Sequence, residues 1–162
     1  MSDVATTRSR ADAARALTLE DFPVHRPVTT RWSDNDMYGH LNNAVYYELF
    51  DSAINGWHAE HLATAPMTDA TQGVVAESGC SFFAEVGFPS TLVVGLRVTR
   101  IGQSSVTYEL GLFVDPAEPT DPGGIRALGH WVHVEVDATT RRPTPIPDPL
   151  RSLLQSALVR PP

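Results

Sequence analysis

Residues 31–62 read RWSDNDMYGHLNNAVYYELFDSAINGWHAEHL, a polar turn followed by a helical pattern. From Asn43 to Leu62, apolar side chains recur at the i, i+3, i+4, i+7 spacing of one helix face. These apolar positions are Tyr46, Leu49, Phe50, Ala53, Ile54 and Trp57. Asn42, which precedes them, is a favourable N-cap. The stretch therefore predicts one long amphipathic helix that lays a single face on a sheet.

The segments around this helix have a period of two, which is typical of strands. One strand is predicted over Val24–Trp32 and another, after a loop over Thr64–Gln72, over Gly73–Phe83. Three further alternating runs are Leu92–Thr99, Val106–Val114 and His130–Asp137. Short connections between the last strands favour antiparallel pairing. This order predicts an α+β fold, in which the helix covers one face of a curved antiparallel sheet of about five strands.

The domain organisation is simple, since 162 residues suit one domain. Residues 1–21 are rich in Ala, Thr, Arg and Asp and are predicted to be a mobile tail. Residues 22–162 are predicted to be a single domain that ends in a short helix within Leu150–Val159. One sheet face and at least one sheet edge remain uncovered. We therefore expect the chain to associate with a second copy.

Composition disfavours several classes of protein. There is no run of about 18 apolar residues, and no apolar stretch follows the early arginines, so we expect a cytoplasmic protein without membrane attachment. The net charge is −7, and the twelve basic residues are all arginines, scattered apart from the pair Arg141 and Arg142, whereas a nucleic-acid binder needs a basic stripe. Cys80 is the single cysteine, which leaves no intrachain disulfide or cysteine metal cluster and fits a reducing compartment.

The candidate chemistry lies in the turn before the helix. Its polar side chains are Ser33, Asp34, Asp36, His40, Asn42 and Asn43. A helix N-terminus presents free backbone N–H groups and the positive end of the helix dipole, which suits an oxyanion. The same field would keep a nearby carboxylate ionised, so that it could act as a base or a nucleophile. Gly39 permits a tight turn with positive φ.

Other interpretations of this segment are weaker or remain open. Asp34 and Asp36 could simply form an Asx-turn, with Asn42 as a cap. A calcium loop counted from Asp34 fails, because its fifth and twelfth positions lack oxygen ligands. A zinc site lacks a second histidine near His40, and His58 and His61 fall on the polar face of the helix, where we expect them to be solvated. A Ser/His/Asp triad has no sequence signature.

The segment Asp34–Tyr46 reads D-x-D-x-x-G-H-x-N-N-x-x-Y. It resembles the signature of hotdog-fold acyl-CoA thioesterases of the 4-hydroxybenzoyl-CoA thioesterase-like group. Gly102–Tyr108 resembles the turn between two central strands of this family, and Gly129–Asp137 followed by Thr140–Pro147 resembles its last strand and exit. The resemblance covers about Val24 to Leu154. It implies the hotdog fold, in which a sheet wraps one long helix.

The resemblance also implies roles for individual residues. Asp36 matches the catalytic carboxylate, and the backbone N–H of Asn43 matches the oxyanion donor. His40 and Asn42 match residues that shape the turn and contact the thioester region. Tyr46 and Asn42 are expected to contact substrate, although Tyr46 could equally belong to the core. Some members bind the coenzyme A phosphates with a basic cluster on the Gly102–Ser105 turn, which here is uncharged. The remaining candidates are Arg100, Arg126, Arg141 and Arg142.

The function predicted from these features is hydrolysis of an acyl- or aryl-CoA thioester to a carboxylic acid and free coenzyme A, with no metal or redox cofactor. Asp36 would act either as a general base or as a nucleophile. The alternatives are a non-catalytic acyl-CoA-binding module and, ranked lower, an enoyl-thioester hydratase. The expected assembly is a homodimer or homotetramer, with an acyl pocket between subunits.

Overall fold

A computed structural model describes residues 12–63, 69–118 and 123–159. Its strands are β1 (Val24–Val28), β2 (Thr71–Phe82), β3 (Leu92–Ile101), β4 (Ser105–Val114) and β5 (Ala127–Asp137), and its helices are α1 (Asn43–His61) and α2 (Asp148–Ser156). The strands form one sheet in the order β1-β3-β4-β5-β2, and every neighbouring pair is antiparallel. The predicted α+β hotdog architecture is confirmed.

Helix α1 lies across the sheet with the apolar face that its sequence predicts. The buried side chains of that face are Tyr46, Phe50, Ala53, Ile54 and Trp57, and Leu49 is partly buried. They share one core with β3 and β4, in which Val94, Leu96 and Leu110 are fully buried. Burial of large apolar side chains at this density is the main force that holds the helix to the sheet.

Strand β1 is shorter than predicted, because it ends at Val28 rather than at Trp32. The chain turns into a 3₁₀ segment at Trp32–Asp34, and the Asp34 carboxylate accepts the backbone N–H of Arg31 at 2.7 Å. This capping bond stabilises the turn in place of further ladder pairing, and it leaves Trp32 80% exposed. At the other boundaries the differences from the prediction are small. Strand β2 begins at Thr71 rather than at Gly73, and α2 begins at Asp148 rather than at Leu150.

His58 is not solvated as its place on the helix pattern predicts. It is half-buried, and its Nε2 lies 3.2 Å from the Tyr108 hydroxyl on β4. Burial, together with neighbouring His133, lowers the pKa of His58 to about 4. His61 is exposed, with Nδ1 2.9 Å from the Trp57 carbonyl oxygen. In the described part of the chain, no group of three or more His, Cys, Asp or Glu side chains is arranged to hold a metal ion.

The N-terminal segment is only partly described, since residues 1–11 lie outside the described residues. Residues 12–15 are helical, and Leu17 and Leu19 pack against a small cluster formed by Phe22, Phe113 and Ile125. The prediction of a mobile tail over 1–21 therefore stays a prediction. Among the described residues, no helix has the length and apolar character needed to cross a membrane.

Candidate active site at the start of helix α1

The turn that precedes α1 is closed by backbone pairing. Asn35 and Leu41 form an antiparallel bridge, and inside it the Asp36 N–H donates to the His40 carbonyl at 2.7 Å. Gly39 has φ +84°, a conformation that other residues rarely adopt. The loop is therefore a rigid hairpin-like structure that carries Asp36 on one limb and leads directly into the helix.

Asp34 stabilises this turn through hydrogen bonds of its side chain and its backbone. Its side chain is buried and accepts the backbone N–H of Arg31 at 2.7 Å and the Arg31 Nε–H at 3.0 Å. Its carbonyl oxygen accepts the N–H of Asn42 at 2.9 Å, which ties the two ends of the loop together. With its carboxylate occupied in this way, Asp34 has a structural role.

The carboxylate of Asp36 is held by one oxygen. Oδ1 accepts the backbone N–H of Tyr38 at 2.8 Å and that of His40 at 3.3 Å, which is the geometry of an Asx-turn. Oδ2 makes no hydrogen bond within the described residues, and the side chain is only half-buried. Anchoring by one oxygen fixes the direction of the group while the second oxygen stays available to a reactant.

The first turn of α1 offers an unpaired donor beside this loop. Asn42 caps the helix, since its side-chain oxygen accepts the N–H of Ala44 at 3.0 Å. The N–H of Asn43, at the first helical position, has no hydrogen-bond partner in the described part of the chain, and Asn43 is exposed. The dipole of this 19-residue helix adds partial positive charge at the same point. Such a group can stabilise a developing oxyanion.

His40 has a partner that the sequence does not reveal. Its Nε2 lies 3.2 Å from Oε2 of Glu85, which belongs to the segment after β2. That segment is fixed beside the turn, because the Leu41 N–H donates to the Val86 carbonyl at 2.8 Å. A Cβ at Gly87 would lie 2.6 Å from the Gly39 carbonyl oxygen, so only glycine allows this approach. Nothing in the spacing of the sequence links Glu85 to a histidine so much earlier in the chain.

Tyr46 lies one helical turn further along α1 and is buried, with its ring edge-on to Phe82 at 5.0 Å. Burial is the main cause that raises the pKa of its hydroxyl, and the charges of Glu85 and Asp36 add to the effect. The ring therefore belongs to the core and also adjoins the site. The structure brings Asp36, His40 and Tyr46 to the same end of the helix as the capping residues.

Large apolar side chains around the turn are exposed. Met37, Tyr38 and Trp32 are each more than three-quarters exposed, and Trp32 packs edge-on to Phe88 with ring centroids 6.3 Å apart. Exposed apolar groups that gather at one place mark a surface for a ligand or a partner. This surface borders the Asp36 loop.

The sequence of the chain matches that of a known protein family. The sequence model of the thioesterase superfamily matches residues 38–118, half of the chain. The chain belongs to the thioesterase superfamily. Membership carries thioester hydrolysis as the general activity, and it agrees with a turn that joins a carboxylate to a helix N-terminus.

Several solved structures are similar to this chain in fold. The PA5185 protein of Pseudomonas aeruginosa strain PAO1 is 40% identical, with a TM-score of 0.80 over 86% of this chain and 94% of that chain. A thioesterase of Thermus thermophilus, solved in complex with coenzyme A and Zn, is 25% identical, with a TM-score of 0.67 over 83% of this chain and 98% of that chain. The curated relative YsmA of Bacillus subtilis, an uncharacterised protein, is 27% identical over 53% of this chain, and the chain spans 58% of its length.

The turn after β3 carries no charged side chain of its own, but an arginine from another element lies beside it. Arg151 of α2 donates from Nη2 to the carbonyl oxygens of Gly102 and Gln103, at 2.9 and 3.1 Å. Of the arginines that the sequence proposes for this task, Arg100 is exposed and Arg141 donates to the Gln72 side chain at 2.7 Å. The sequence does not predict the contact of Arg151 with this turn, because Arg151 lies in a helix 48 residues from Gln103.

Proposed function

We propose that the protein hydrolyses an acyl- or aryl-CoA thioester to a carboxylic acid and free coenzyme A. The observation that carries the proposal is the arrangement at the start of α1. There a carboxylate oxygen of Asp36 without a partner among the described residues lies on the closed loop that leads into α1, and the unpaired N–H of Asn43 is at the first position of that helix. A base or nucleophile and an oxyanion donor are the two elements that acyl transfer requires.

The reaction follows from these two groups. The thioester carbonyl oxygen accepts the Asn43 N–H, and the positive end of the α1 dipole stabilises the negative charge that develops on it. Asp36 either takes a proton from the water that attacks the carbonyl carbon or attacks that carbon itself, forming an anhydride that water then cleaves. In both routes the C–S bond breaks, the thiolate leaves and takes up a proton, and water supplies the second acid oxygen. His40, paired with Glu85, positions the loop.

Coenzyme A as the thiol is supported by the Thermus thermophilus relative, whose structure contains it. The nucleotide phosphates are anionic, and this chain has a net charge of −7, so local arginines must supply the attraction. Arg100, Arg126, Arg141 and Arg142 remain candidates, and Arg151 is added to them because it already lies on the Gly102–Gln103 turn.

The proposal includes a homodimer joined through β2. Of the two sheet edges, β1 has five residues and carries Pro27, which cannot donate to a ladder. The β2 edge has twelve residues and exposes apolar side chains, with Val75 49% and Phe82 43% exposed. A long edge strand presents unpaired backbone groups that can pair with a second copy of itself. A homotetramer would need a further interface on top of this one.

The test is a thiol-release assay with a series of acyl- and aryl-CoA thioesters. The proposal predicts multiple turnovers and stoichiometric free acid. A non-catalytic acyl-CoA-binding module would bind the thioesters without thiol release. A hydratase would consume an enoyl thioester while leaving its C–S bond intact. Either of these two results would overturn the proposal.

A further inference from the structure

The outer face of the sheet, opposite α1, carries an apolar cluster of its own. Leu112 belongs to the core under α1, so the next residue on β4, Phe113, points to the outer face. Phe113 is 5% exposed and clusters with Ile125 and Phe22. From the sequence, a second copy is the expected cover for an open sheet face. Here Phe22, which precedes β1, covers part of this face from within the same chain.

Phe22 lies in a socket made by two glycines. Gly95 on β3 and Gly111 on β4 are direct partners in the ladder. A Cβ on Gly95 would lie 2.8 Å from Phe22 Cγ, and a Cβ on Gly111 would lie 2.8 Å from Phe22 Cζ. The ring therefore rests on the backbone of both strands and is only 1% exposed. A side chain at either glycine would displace the ring from the sheet.

Charged groups lie above this ring. The Arg97 guanidinium carbon is 5.0 Å from the centroid of the Phe22 ring, and Arg97 donates from Nε and Nη2 to Glu109 Oε2 at 2.8 and 2.6 Å. Glu20 and Asp21, which directly precede Phe22, are exposed. An apolar surface is thus replaced by a charged one. Exposed apolar patches favour association of proteins, whereas charged surfaces disfavour it.

Residues 17–22, here called the strap, cover the sheet of their own chain. Strand β1 begins at Val24, immediately after the Phe22–Pro23 pair, so the connection is too short for Phe22 to reach another copy. His25 Nε2 on β1 lies 2.9 Å from the Leu19 carbonyl oxygen and ties the strap to the sheet edge. The strap is therefore a fixed part of the domain.

The outer face matters for assembly because of the symmetry of the β2 pair. Identical strands that pair antiparallel at an edge are related by a two-fold axis perpendicular to the sheet, so both outer faces lie on the same side. Without the straps, that side would expose two copies of the cluster around Val93, Phe113 and Ile125. A second pair could then stack on it face to face, at a spacing of about 10 Å. The strap occupies the space that this stacking needs.

We propose that the strap prevents a second copy from packing on the outer face of the sheet, so that the pair joined through β2 is the final assembly. This inference takes the β2 pair of the proposed function as its unit, and it does not depend on thioester hydrolysis. It excludes a homotetramer formed through this face.

The test is light scattering over a wide range of protein concentrations, with two variants that remove the strap from the sheet in different ways. Gly95→Ala places a methyl group against Phe22 while every apolar side chain is kept. Phe22→Ser removes the ring itself. The wild type should keep the mass of two chains, and both variants should approach about twice that mass at high concentration. Gly79→Ala is the matched control, because its Cβ lies on the outer face of β2 with nothing within 4 Å, and it should keep the wild-type mass.

A charge on the outer face identifies the surface through which the variants associate. Thr107 on β4 is partly exposed and lies on the outer face, since its neighbours Val106 and Tyr108 belong to the core under α1. In a symmetric stack, Thr107→Glu brings like charges together. Added to Gly95→Ala, it should restore the wild-type mass. A double variant that keeps the larger mass associates elsewhere, which would overturn the inference. A lower mass for Thr107→Glu alone would show that the wild type already uses this face, with the same consequence.

The fold of each variant is checked by circular dichroism and its melting transition. Folded Gly95→Ala and Phe22→Ser proteins with the wild-type mass at every concentration would overturn the inference. Loss of folding in both would show that the strap is part of the core rather than a cover, and would overturn it as well. A monomeric wild type would overturn the β2 pair and, with it, the claim that this pair is the final assembly. Absence of thiol release would overturn the proposed hydrolysis and leave this inference standing.

Discussion

The backbone N–H of Asn43 can be removed with little expected damage to the fold, which makes it a direct probe of the oxyanion site. Asn43→Pro deletes the donor at the first helical position, where proline is favoured because that N–H has no partner inside the helix. The residue before it is already suitable, since Asn42 has φ −58° and ψ 139°, within the region that a following proline requires. The free energy of unfolding should therefore change by no more than about 1 kcal/mol.

Loss of one oxyanion donor typically lowers turnover by about 10²–10³, equivalent to about 2.7–4 kcal/mol of transition-state stabilisation. The decrease should fall on kcat more than on KM, because the bond is strongest in the transition state. Asn43→Ala keeps the N–H and should keep most of the activity. The assay is thiol release by the two purified variants, with matched melting temperatures as the control for folding. Equal turnover in Asn43→Pro and Asn43→Ala would refute the assignment of the oxyanion site.

Three further variants and one mass measurement test the framework around the site. Asp34→Ala should destabilise the fold by about 1–3 kcal/mol, measured by denaturant unfolding, because it removes the buried acceptor of two Arg31 donors; an unchanged unfolding midpoint would contradict this role. Gly87→Ala should lower activity by displacing the loop, since its Cβ would meet the Gly39 carbonyl oxygen at 2.6 Å, and wild-type kcat would show that this close approach is dispensable. Because burial lowers the pKa of His58 from 6.5 to about 4, the unfolded chain takes up a proton in that window that the folded chain does not; stability should fall as pH falls from about 6.5 to 4, and His58→Gln should flatten this slope in unfolding experiments across pH. Light scattering should give at least twice the 17.6 kDa chain mass, and a monomer mass would argue against the β2 dimer.

The fold could be predicted largely from local patterns. The α1 face, with Tyr46, Phe50 and Trp57 buried, follows from a helical period that tertiary packing leaves intact. The predicted alternation is seen along most of β5, whereas the first five residues of β3 are all buried, because Phe22 packs closely against Gly95 on β3. The error in β1 has a local cause, since the Asp34 side chain competes for the backbone of Arg31 and ends the strand early.

The site was predictable only where its residues are neighbours in sequence. Asp36, Asn42 and Asn43 lie close together in the sequence, where the loop leads into α1, so the motif predicts that they are neighbours. Glu85 contacts His40, and Arg151 contacts Gly102, from other parts of the chain. The periodicity of the sequence does not predict such contacts. The sequence analysis expected His58 to be solvated, and this was wrong for a related reason. Its partner Tyr108 lies on β4, and the contact between the two makes burial of a polar side chain possible. The catalytic and binding roles of the loop residues stay predictions.

The most direct test of the central claim is the turnover of Asp36→Asn with a thioester that the wild type hydrolyses. The amide oxygen of asparagine can still accept the Tyr38 and His40 N–H groups, so the turn should persist while the carboxylate is lost. Thiol release should fall by about 10²–10⁴, with an unchanged melting temperature. A folded variant that releases thiol at the wild-type rate would contradict the assignment of Asp36 and, with it, the proposed mechanism.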